Sequence, residues 1–451
     1  MSEQVTLRRA LGFWALVAYG IGDILGAGIY ALVGKIAGIS GMYAWASFAV
    51  AMGVAALTAV SYAELGRRFP RSGGEAYFCQ RAFGWPALSL LIGWLVFSSG
   101  VVSLATVSRA FADYALANWT IASGPLHLVT IGLFLLLLTG INFWGIRESS
   151  RVNMVCTLVE CSGLIIVLVV GVLFLLGRDL PALPEVAPVP GRLNGALLIQ
   201  GAALAFFAFI GFEDMVNVSE EVQDARRNVP RAIMTALLVA GSVYVLVAWV
   251  ATRVVAPAEL ATAGGPLLLV VQRGAPNFPA WIFVIIALFA VANTGLLNYV
   301  MGSRLLYGMA CEGLLPRWLA TLHPRRQTPY LAILIILVVA LSLAITGTVQ
   351  LLAGTTSFLL LIVFATVNLS LVAIKYGEAV QPKRTRTALA IPLIAAATSL
   401  GLMLALPAAS ILPGGVILLL GMLLIVARRC LPPGLPRKGA PPDSRDPQRG
   451  G

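Results

Sequence analysis

The chain has 451 residues, 59% of them hydrophobic and only 11% charged, with a formal net charge of +12. This composition excludes a soluble globular protein and places the chain among polytopic membrane proteins. The gaps between apolar runs leave no room for a soluble domain, so the positive charge reads as membrane topology and not as nucleic-acid binding.

Residues 1–10 precede the first apolar run, which lacks the short core and small-residue cleavage site of a removable signal peptide. Sustained hydrophobicity then falls at Leu11–Gly34, Met42–Leu65, Pro86–Leu116, Leu126–Trp144, Asn153–Leu176 and Asn194–Asn217. It continues at Ile233–Val255, Pro279–Met309, Leu331–Thr346, Leu351–Ile374, Ala388–Pro407 and Gly414–Val426. A bilayer needs roughly 20 apolar residues per helix, so the expectation is an all-α polytopic membrane protein of about twelve transmembrane helices. Arginine and lysine cluster on alternate connections: Arg8 and Arg9, Arg67 to Arg81, Arg147 and Arg151, Arg226 to Arg231, Arg304 to Arg326, and Lys375 to Arg386. The other side receives only Lys35, Arg178, Arg192, Arg253 and Arg273. That bias puts both termini in the cytoplasm of a multi-pass protein of the plasma (inner) membrane. The outer stretch Gly177–Leu193 is rich in proline, and Ala256–Asn277 is expected to form a partial lid. Residues 431–451, rich in proline, glycine and charge, are expected to be a disordered cytoplasmic tail. The five cysteines (Cys79, Cys156, Cys161, Cys311, Cys430) lack metal-ligand spacing, so neither a disulfide framework nor a metal is expected, and no cofactor.

Two spans do not read as plain anchors. The first carries Tyr19-Gly20-Ile21-Gly22-Asp23-Ile24-Leu25-Gly26-Ala27-Gly28-Ile29-Tyr30, with four glycines and a carboxylate at its middle. Glycine disfavours helix by about 1 kcal/mol relative to alanine, and a mid-membrane carboxylate costs about 2.5–3.5 kcal/mol on insertion scales. The pattern predicts a helix broken near Gly26-Ala27-Gly28, with free backbone groups facing protein or a water-filled cavity. Close helix packing by Gly22 and Gly26 alone would leave Asp23 unexplained. The sixth span reads Phe206-Phe207-Ala208-Phe209-Ile210-Gly211-Phe212-Glu213-Asp214, again a glycine and carboxylates inside an apolar helix.

Interrupted spans at corresponding positions of two halves point to a transporter site between repeats. The odd spacing, five helices per half, requires the halves to run in opposite directions. The half-helix after Gly26-Ala27-Gly28 aims its amides and positive dipole end at the break, which suits a carboxylate. The half-helix ending near Phe209-Ile210 offers free carbonyls, which suit an ammonium. Both groups on neighbouring atoms describe an α-amino acid.

At these residues the chain resembles the amino acid–polyamine–organocation (APC) superfamily, whose members share the leucine-transporter fold. The matching pieces are Gly26 to Tyr30, Ser61-Tyr62-Ala63-Glu64-Leu65 with Pro70-Arg71-Ser72-Gly73-Gly74, Phe207 to Glu213 followed by Glu220-Glu221, Asn228-Val229-Pro230-Arg231-Ala232-Ile233, and Ser303-Arg304 to Gly313-Leu314-Leu315-Pro316. The resemblance implies five-plus-five inverted repeats with broken helices 1 and 6. Helices 1–5 then occupy residues 11–177, helices 6–10 residues 194–376, and helices 11–12 residues 387–430. It further implies that Gly26, Ala27 and Gly28 bind the substrate carboxylate, that Phe207 is an aromatic gate, that Ile210 offers a carbonyl to the amine, and that Glu213 is an acidic site residue. With Ile21 of the first span these form the expected substrate-binding set. Some proton-coupled relatives carry a lysine in the fifth helix where this chain has Glu160, so the lysine-based account does not transfer. Carboxylates inside membrane spans are functional by default, and Asp23 and Glu160 are the expected ion-coupling residues, for protons or sodium.

Among the remaining polar residues, Glu64 beside Arg67 and Arg68 reads as a structural ion pair or latch. Arg109 and Asp113, at i and i+4, read as an interfacial pair, and Glu220 and Glu221 as a cluster with Arg226 and Arg227. Asn293 and Asn298 either bond a neighbouring helix or line the pathway. His127 and His323 have no expected role. Trp14, Trp94, Trp144 and Trp249 read as interfacial anchors. The expectation is a secondary transporter of neutral or cationic amino acids working by alternating access, ion-coupled or exchanging, with membrane lipid as its surroundings and the oligomeric state open. The alternatives are an amine or polyamine carrier and a membrane sensor that binds without translocating. No nucleophile–base pairing suggests an enzyme.

Overall fold

Phe13–Ile24 (α1) and Ala27–Ser40 (α2) are two short helices where an uninterrupted span would be one. The break falls at Leu25 and Gly26, as the glycines predict, and the structure is that of a computed structural model. It describes residues 11–69, 74–117, 124–144, 146–177, 194–219, 222–311, 315–326, 328–377 and 382–430. Residues 1–10, the stretch 70–73, most of the proline-rich stretch Gly177–Leu193, Glu220, Glu221 and the tail 431–451 lie outside the described residues.

The chain continues through Ala44–Arg68 (α3), Gly74–Phe83 (α4), Pro86–Ala115 (α5), Pro125–Trp144 (α6) and Ile146–Leu176 (α7). Gly195–Ala205 (α8) then tightens into a 3-10 turn at Phe206–Phe209 and restarts as the single turn Asp214–Asn217 (α9). Ala225–Val254 (α10) is followed by two short helices, Pro257–Thr262 (α11) and Pro266–Gly274 (α12). Ala280–Cys311 (α13), Tyr330–Thr346 (α14), Val349–Gly377 (α15), Pro382–Leu404 (α16) and Ala408–Cys430 (α17) complete the fold. The structure is thus all-helical; among the described residues the only β pairing is a single bridge, Leu11 with Val222. Among the described residues nine stretches are long and apolar enough to cross a membrane, and three shorter apolar helices, Phe13–Ile24, Tyr330–Thr346 and Leu389–Leu404, accompany them.

Burial sorts the helices. Leucine, isoleucine and valine of α6, α7, α16 and α17 are widely exposed, whereas α2, α5 and α15 are buried along most of their length. The exposed apolar faces are what a lipid-facing helix requires, since lipid offers no hydrogen-bond partners. Tight crossings depend on absent side chains: a β-carbon on Gly163 would meet the Tyr30 hydroxyl at 2.5 Å, and one on Gly295 would meet Leu138 at 2.9 Å.

Polar contacts then fix particular pairs. Glu64 pairs with Arg68 at 2.6 Å, as a latch at that position should, and also receives Lys375 from α15. Arg109 corrects an expectation: its guanidinium donates to the Ala344 carbonyl at 2.6 Å, while Asp113 pairs with His127 at 2.9 Å. Helix periodicity alone cannot see such partners on other helices. Trp94 is a second correction, because its indole N–H donates to the Ile417 carbonyl at 2.9 Å and fastens α5 to α17. Trp14 and Trp144 are exposed, and Trp249 is exposed beneath the Arg253 guanidinium.

Candidate functional site

The two breaks meet. Gly28 of α2 lies against Ala208 of the 3-10 turn, and Gly211 lies against the Asp23 main chain. Gly211 has φ of +124°, a conformation that only glycine adopts readily, and a β-carbon there would stand 2.8 Å from the Asp23 carbonyl oxygen. The first break is also tied to α13: the Ala27 amide donates to Thr294 Oγ1 at 2.8 Å. Gly26 has no side chain to cap α2, so Thr294 from α13 takes the first amide, and among the described residues no carboxylate of the protein caps this positive helix end.

Between the breaks is a small cavity of about 50 Å³, lined among others by Asp23, Gly26, Ala27, Gly28, Phe207 and Ile210. It shares Ser103, Ile210, Asp214, Asn298 and Met301 with a larger vestibule of about 370 Å³, where Glu75, Glu213 and Arg304 join the lining. Gly26, Ala27, Gly28, Phe207, Ile210 and Asp23 therefore gather around one small volume. Glu213 lies in the vestibule, with Oε2 accepting the Gly211 amide at 2.9 Å. Ile21 lines neither cavity; its carbonyl accepts the Leu25 amide at the end of α1.

Glu160 is apart from this group, fully buried on α7 beside Asn293. Among the described residues no group of three or more histidine, cysteine or carboxylate side chains could hold a metal ion.

The structure adds residues that sequence reasoning passed over. Asp214 lines both cavities, although its neighbour Glu213 was the one singled out. Their adjacency in sequence signalled two carboxylates but not which one faces inward. Asn298 does both things expected of it, donating to Ser103 Oγ at 3.1 Å and lining both cavities. Glu75 stands at the vestibule on α4, a helix not among the membrane-crossing stretches, and its Oε1 accepts the Tyr62 hydroxyl at 3.1 Å. Burial pushes its carboxyl up to about 7, and the nearby Asp214 charge adds to this.

The two ends of the pathway differ. At one end the Tyr114 hydroxyl donates to the Tyr30 carbonyl at 3.0 Å, and Lys35 Nζ donates to the Ala261 carbonyl of α11 at 2.8 Å. There α11 and α12 pack over α2, as a lid would, and Gly34 makes room for the Leu260 carbonyl. At the other end is the vestibule, on the side where α3 ends and α10 begins. Arg67, Arg68, Arg226, Arg227 and Arg231 line a surface cavity there.

The chain matches a family model described as amino acid permease over residues 11–426. It is 32% identical over 450 residues to an uncharacterized transporter of Mycobacterium tuberculosis, covering 99% of this chain and 96% of that one. It is 28% identical to the branched-chain amino acid permease of Bacillus subtilis, over 73% of each chain. To the methylthioribose transporter of the same organism it is also 28% identical, again over 73% of each.

Proposed function

Because this chain belongs to the amino acid permease family of the APC superfamily, we propose that it carries amino acids across the membrane by alternating access. It is a multi-pass membrane transporter and not an enzyme. The observation that carries the finer reading is the meeting of two broken spans around one small cavity, with the N-terminus of α2 on one side. In this reading the substrate carboxylate approaches the turn Gly26-Ala27-Gly28, in competition with the Ile24 carbonyl and Thr294 Oγ1 that now hold the Gly26 and Ala27 amides, and its ammonium approaches the Ile210 carbonyl with Phe207 as an aromatic gate. Both ends of an α-amino acid then find complementary partial charges without a charged side chain. Twelve spans, with helices 1–5 and 6–10 as inverted repeats and both termini cytoplasmic, fit the same reading. On that topology the vestibule is on the cytoplasmic side and the lidded end is outside, so the conformation faces inward.

The lining favours a neutral or cationic substrate over an acidic one. Asp23, Asp214, Glu213 and Glu75 contribute four carboxylates to the two cavities, against the single guanidinium of Arg304. The same carboxylates favour one second reading, an amine carrier, whose substrate would leave the α2 N-terminus unused. Asp23 and Glu160 are the proposed coupling residues.

Thermal unfolding of the purified protein with alanine, lysine, propylamine and putrescine separates these readings. A ligand at 100 times its dissociation constant stabilises by about 2.7 kcal/mol. Stabilisation by alanine or lysine but not by propylamine supports an amino acid; stabilisation by amines alone supports the carrier. Counterflow of a stabilising ligand in proteoliposomes then tests translocation, and binding without counterflow would make the protein a sensor.

A further inference from the structure

The end of α3 and the start of α10 bring five guanidiniums to one cavity. Arg67 and Arg68 close the last turn of α3, and Arg226, Arg227 and Arg231 open α10. Together they line a surface cavity of about 800 Å³ with no acidic side chain in its walls. The helices approach at Gly66, where a β-carbon would stand 3.3 Å from Val229 of α10. Glu64 engages Arg68 at 2.6 Å. Among the described residues no carboxylate pairs with the other four. The acidic residues of the preceding connection, Glu220, Glu221 and Asp224, are fewer than those four. Arg81 of α4 brings a further guanidinium to 6.0 Å from the centroid of Phe69, which lines the same cavity.

Two features distinguish this cavity from a solvated patch of charge. Cations near a helix N-terminus oppose its dipole, yet Arg226 and Arg227 stand in the first turn of α10, which holds no acidic residue. The N-cap residue Asp224 makes no side-chain bond to that helix. An anion between the arginines would relieve both their mutual repulsion and the dipole cost. The second feature is what lies beyond them on α10. Arg227 and Arg231 share one side of the helix with Leu238, Leu246 and Trp249, all of them exposed. An exposed apolar side of a membrane span faces lipid, so the cavity opens at the head of a lipid-facing stripe.

We propose that this cavity binds the phosphate of an anionic phospholipid, with the acyl chains lying along the exposed side of α10. Guanidiniums suit phosphate oxygens because their paired N–H groups bind in parallel, and basic pockets at the ends of spans hold acidic headgroups. A free phosphate offers the same oxygens but nothing to cover Leu238 and Leu246. The site also reaches the first broken span. Three residues before Arg226, the Gln223 amide donates to the Leu11 carbonyl at 2.9 Å, just ahead of α1. A bound headgroup therefore braces the connection that holds the start of α1. The inference is independent of the substrate and of the driving ion.

The test titrates the full-length protein in detergent with phosphatidylglycerol or phosphatidylcholine and counts bound lipid by native mass spectrometry. The wild type should bind phosphatidylglycerol at lower concentration than phosphatidylcholine. Arg227→Gln combined with Arg231→Gln should weaken phosphatidylglycerol binding by about fivefold for each arginine removed. Arg325→Gln, which removes the same charge from an exposed position on another connection, should leave it unchanged. Inorganic phosphate at the same concentration should not displace the lipid. Equal binding of the two lipids would overturn the proposal, as would binding unchanged in the Arg227 and Arg231 double variant. Equal losses in that variant and in Arg325→Gln would reduce the effect to net charge and overturn it too. Displacement by inorganic phosphate would overturn the lipid assignment and make this a site for a soluble phosphate. The adduct is counted directly and needs no substrate, so a failure of alanine counterflow would strike the transport reading and leave this one standing.

Discussion

Gly28 and Ala208 are in main-chain contact across the two broken spans: a β-carbon on Gly28 would stand 2.5 Å from the Ala208 α-carbon and 2.7 Å from its β-carbon. Read from sequence alone, a leucine at 28 would block the ligand carboxylate in a folded protein. The contact gives a different outcome, because the obstacle is backbone and cannot swing away. We expect Gly28→Ala to lower stability by about 1–3 kcal/mol, the usual range for overpacking. Gly28→Leu should keep the breaks from meeting at all. Thermal unfolding in detergent checks this, and an unchanged midpoint for Gly28→Ala would show that the contact gives way easily.

Gly211 should be intolerant for two reasons at once. Its φ of +124° suits only glycine, and an added β-carbon would stand 2.8 Å from the Asp23 carbonyl oxygen. Strained backbone of this sort costs about 1–3 kcal/mol, before the clash is counted. Gly211→Ala is expected to unfold at a lower temperature than Gly53→Ala, a control at which a β-carbon meets nothing within 4 Å.

Much of this was legible in the chain. Glycines beside carboxylates located both breaks to within a few residues, because an apolar helix has no other use for that combination. The separate apolar windows Leu331–Thr346 and Leu351–Ile374 correspond to α14 and α15. Partners across helices were not legible. Asp113 looked toward Arg109 by helix spacing but takes His127, and Trp94 looked like a lipid anchor but holds α17. Nor could the sequence say which of Glu213 and Asp214 faces the small cavity, since neighbouring helical residues differ by a rotation that the broken backbone resets.

Glu75 gives a pH dependence whose sign is fixed. Its carboxyl rises from 4.5 to about 7 in the native state, mainly through burial. Over that window the native protein holds a proton that the unfolded chain has released, so stability falls as pH rises through it. The slope is at most about 1.4 kcal/mol per pH unit for one proton. Glu75→Gln keeps an oxygen for the Tyr62 hydroxyl and removes the titration. Its unfolding midpoint should fall less than that of the wild type as pH is raised toward neutrality. Parallel midpoints for the two proteins would mean that Glu75 does not titrate there.

Selectivity should follow the acidic lining. Asp214 lines both cavities, whereas Glu213 lines the vestibule alone. Asp214→Asn and Glu213→Gln remove charge and preserve size. Lysine binding should weaken more than alanine binding in both variants, and more for Asp214→Asn. Charge-assisted contacts are roughly twice as strong as neutral ones, so a loss of about tenfold for lysine, or 1.4 kcal/mol, is the scale to look for. Equal losses for the two amino acids would make these carboxylates packing or hydrogen-bond residues, and the preference for a cationic substrate would fall.

The driving ion can be separated by imposing one gradient at a time on proteoliposomes. Hard metal cations are held by a shell of several oxygens, and several oxygens at this junction are already engaged. The Ile24 carbonyl accepts from Tyr244, the Glu160 carbonyl accepts from Tyr30, and Thr294 Oγ1 accepts from Ala27. A proton needs only the carboxyl oxygens that are still unpartnered on Glu160. Alanine uptake should therefore follow an inward proton gradient with sodium absent, and collapse when a protonophore is added. A sodium gradient at equal pH on the two sides should drive none. Glu160→Gln should lose accumulation but retain alanine exchange, because a permanently neutral site can still reorient with substrate bound. Uptake that follows sodium and ignores the proton gradient would reverse the assignment of the ion. Accumulation by Glu160→Gln at the wild-type level would remove Glu160 from coupling, whichever ion is carried.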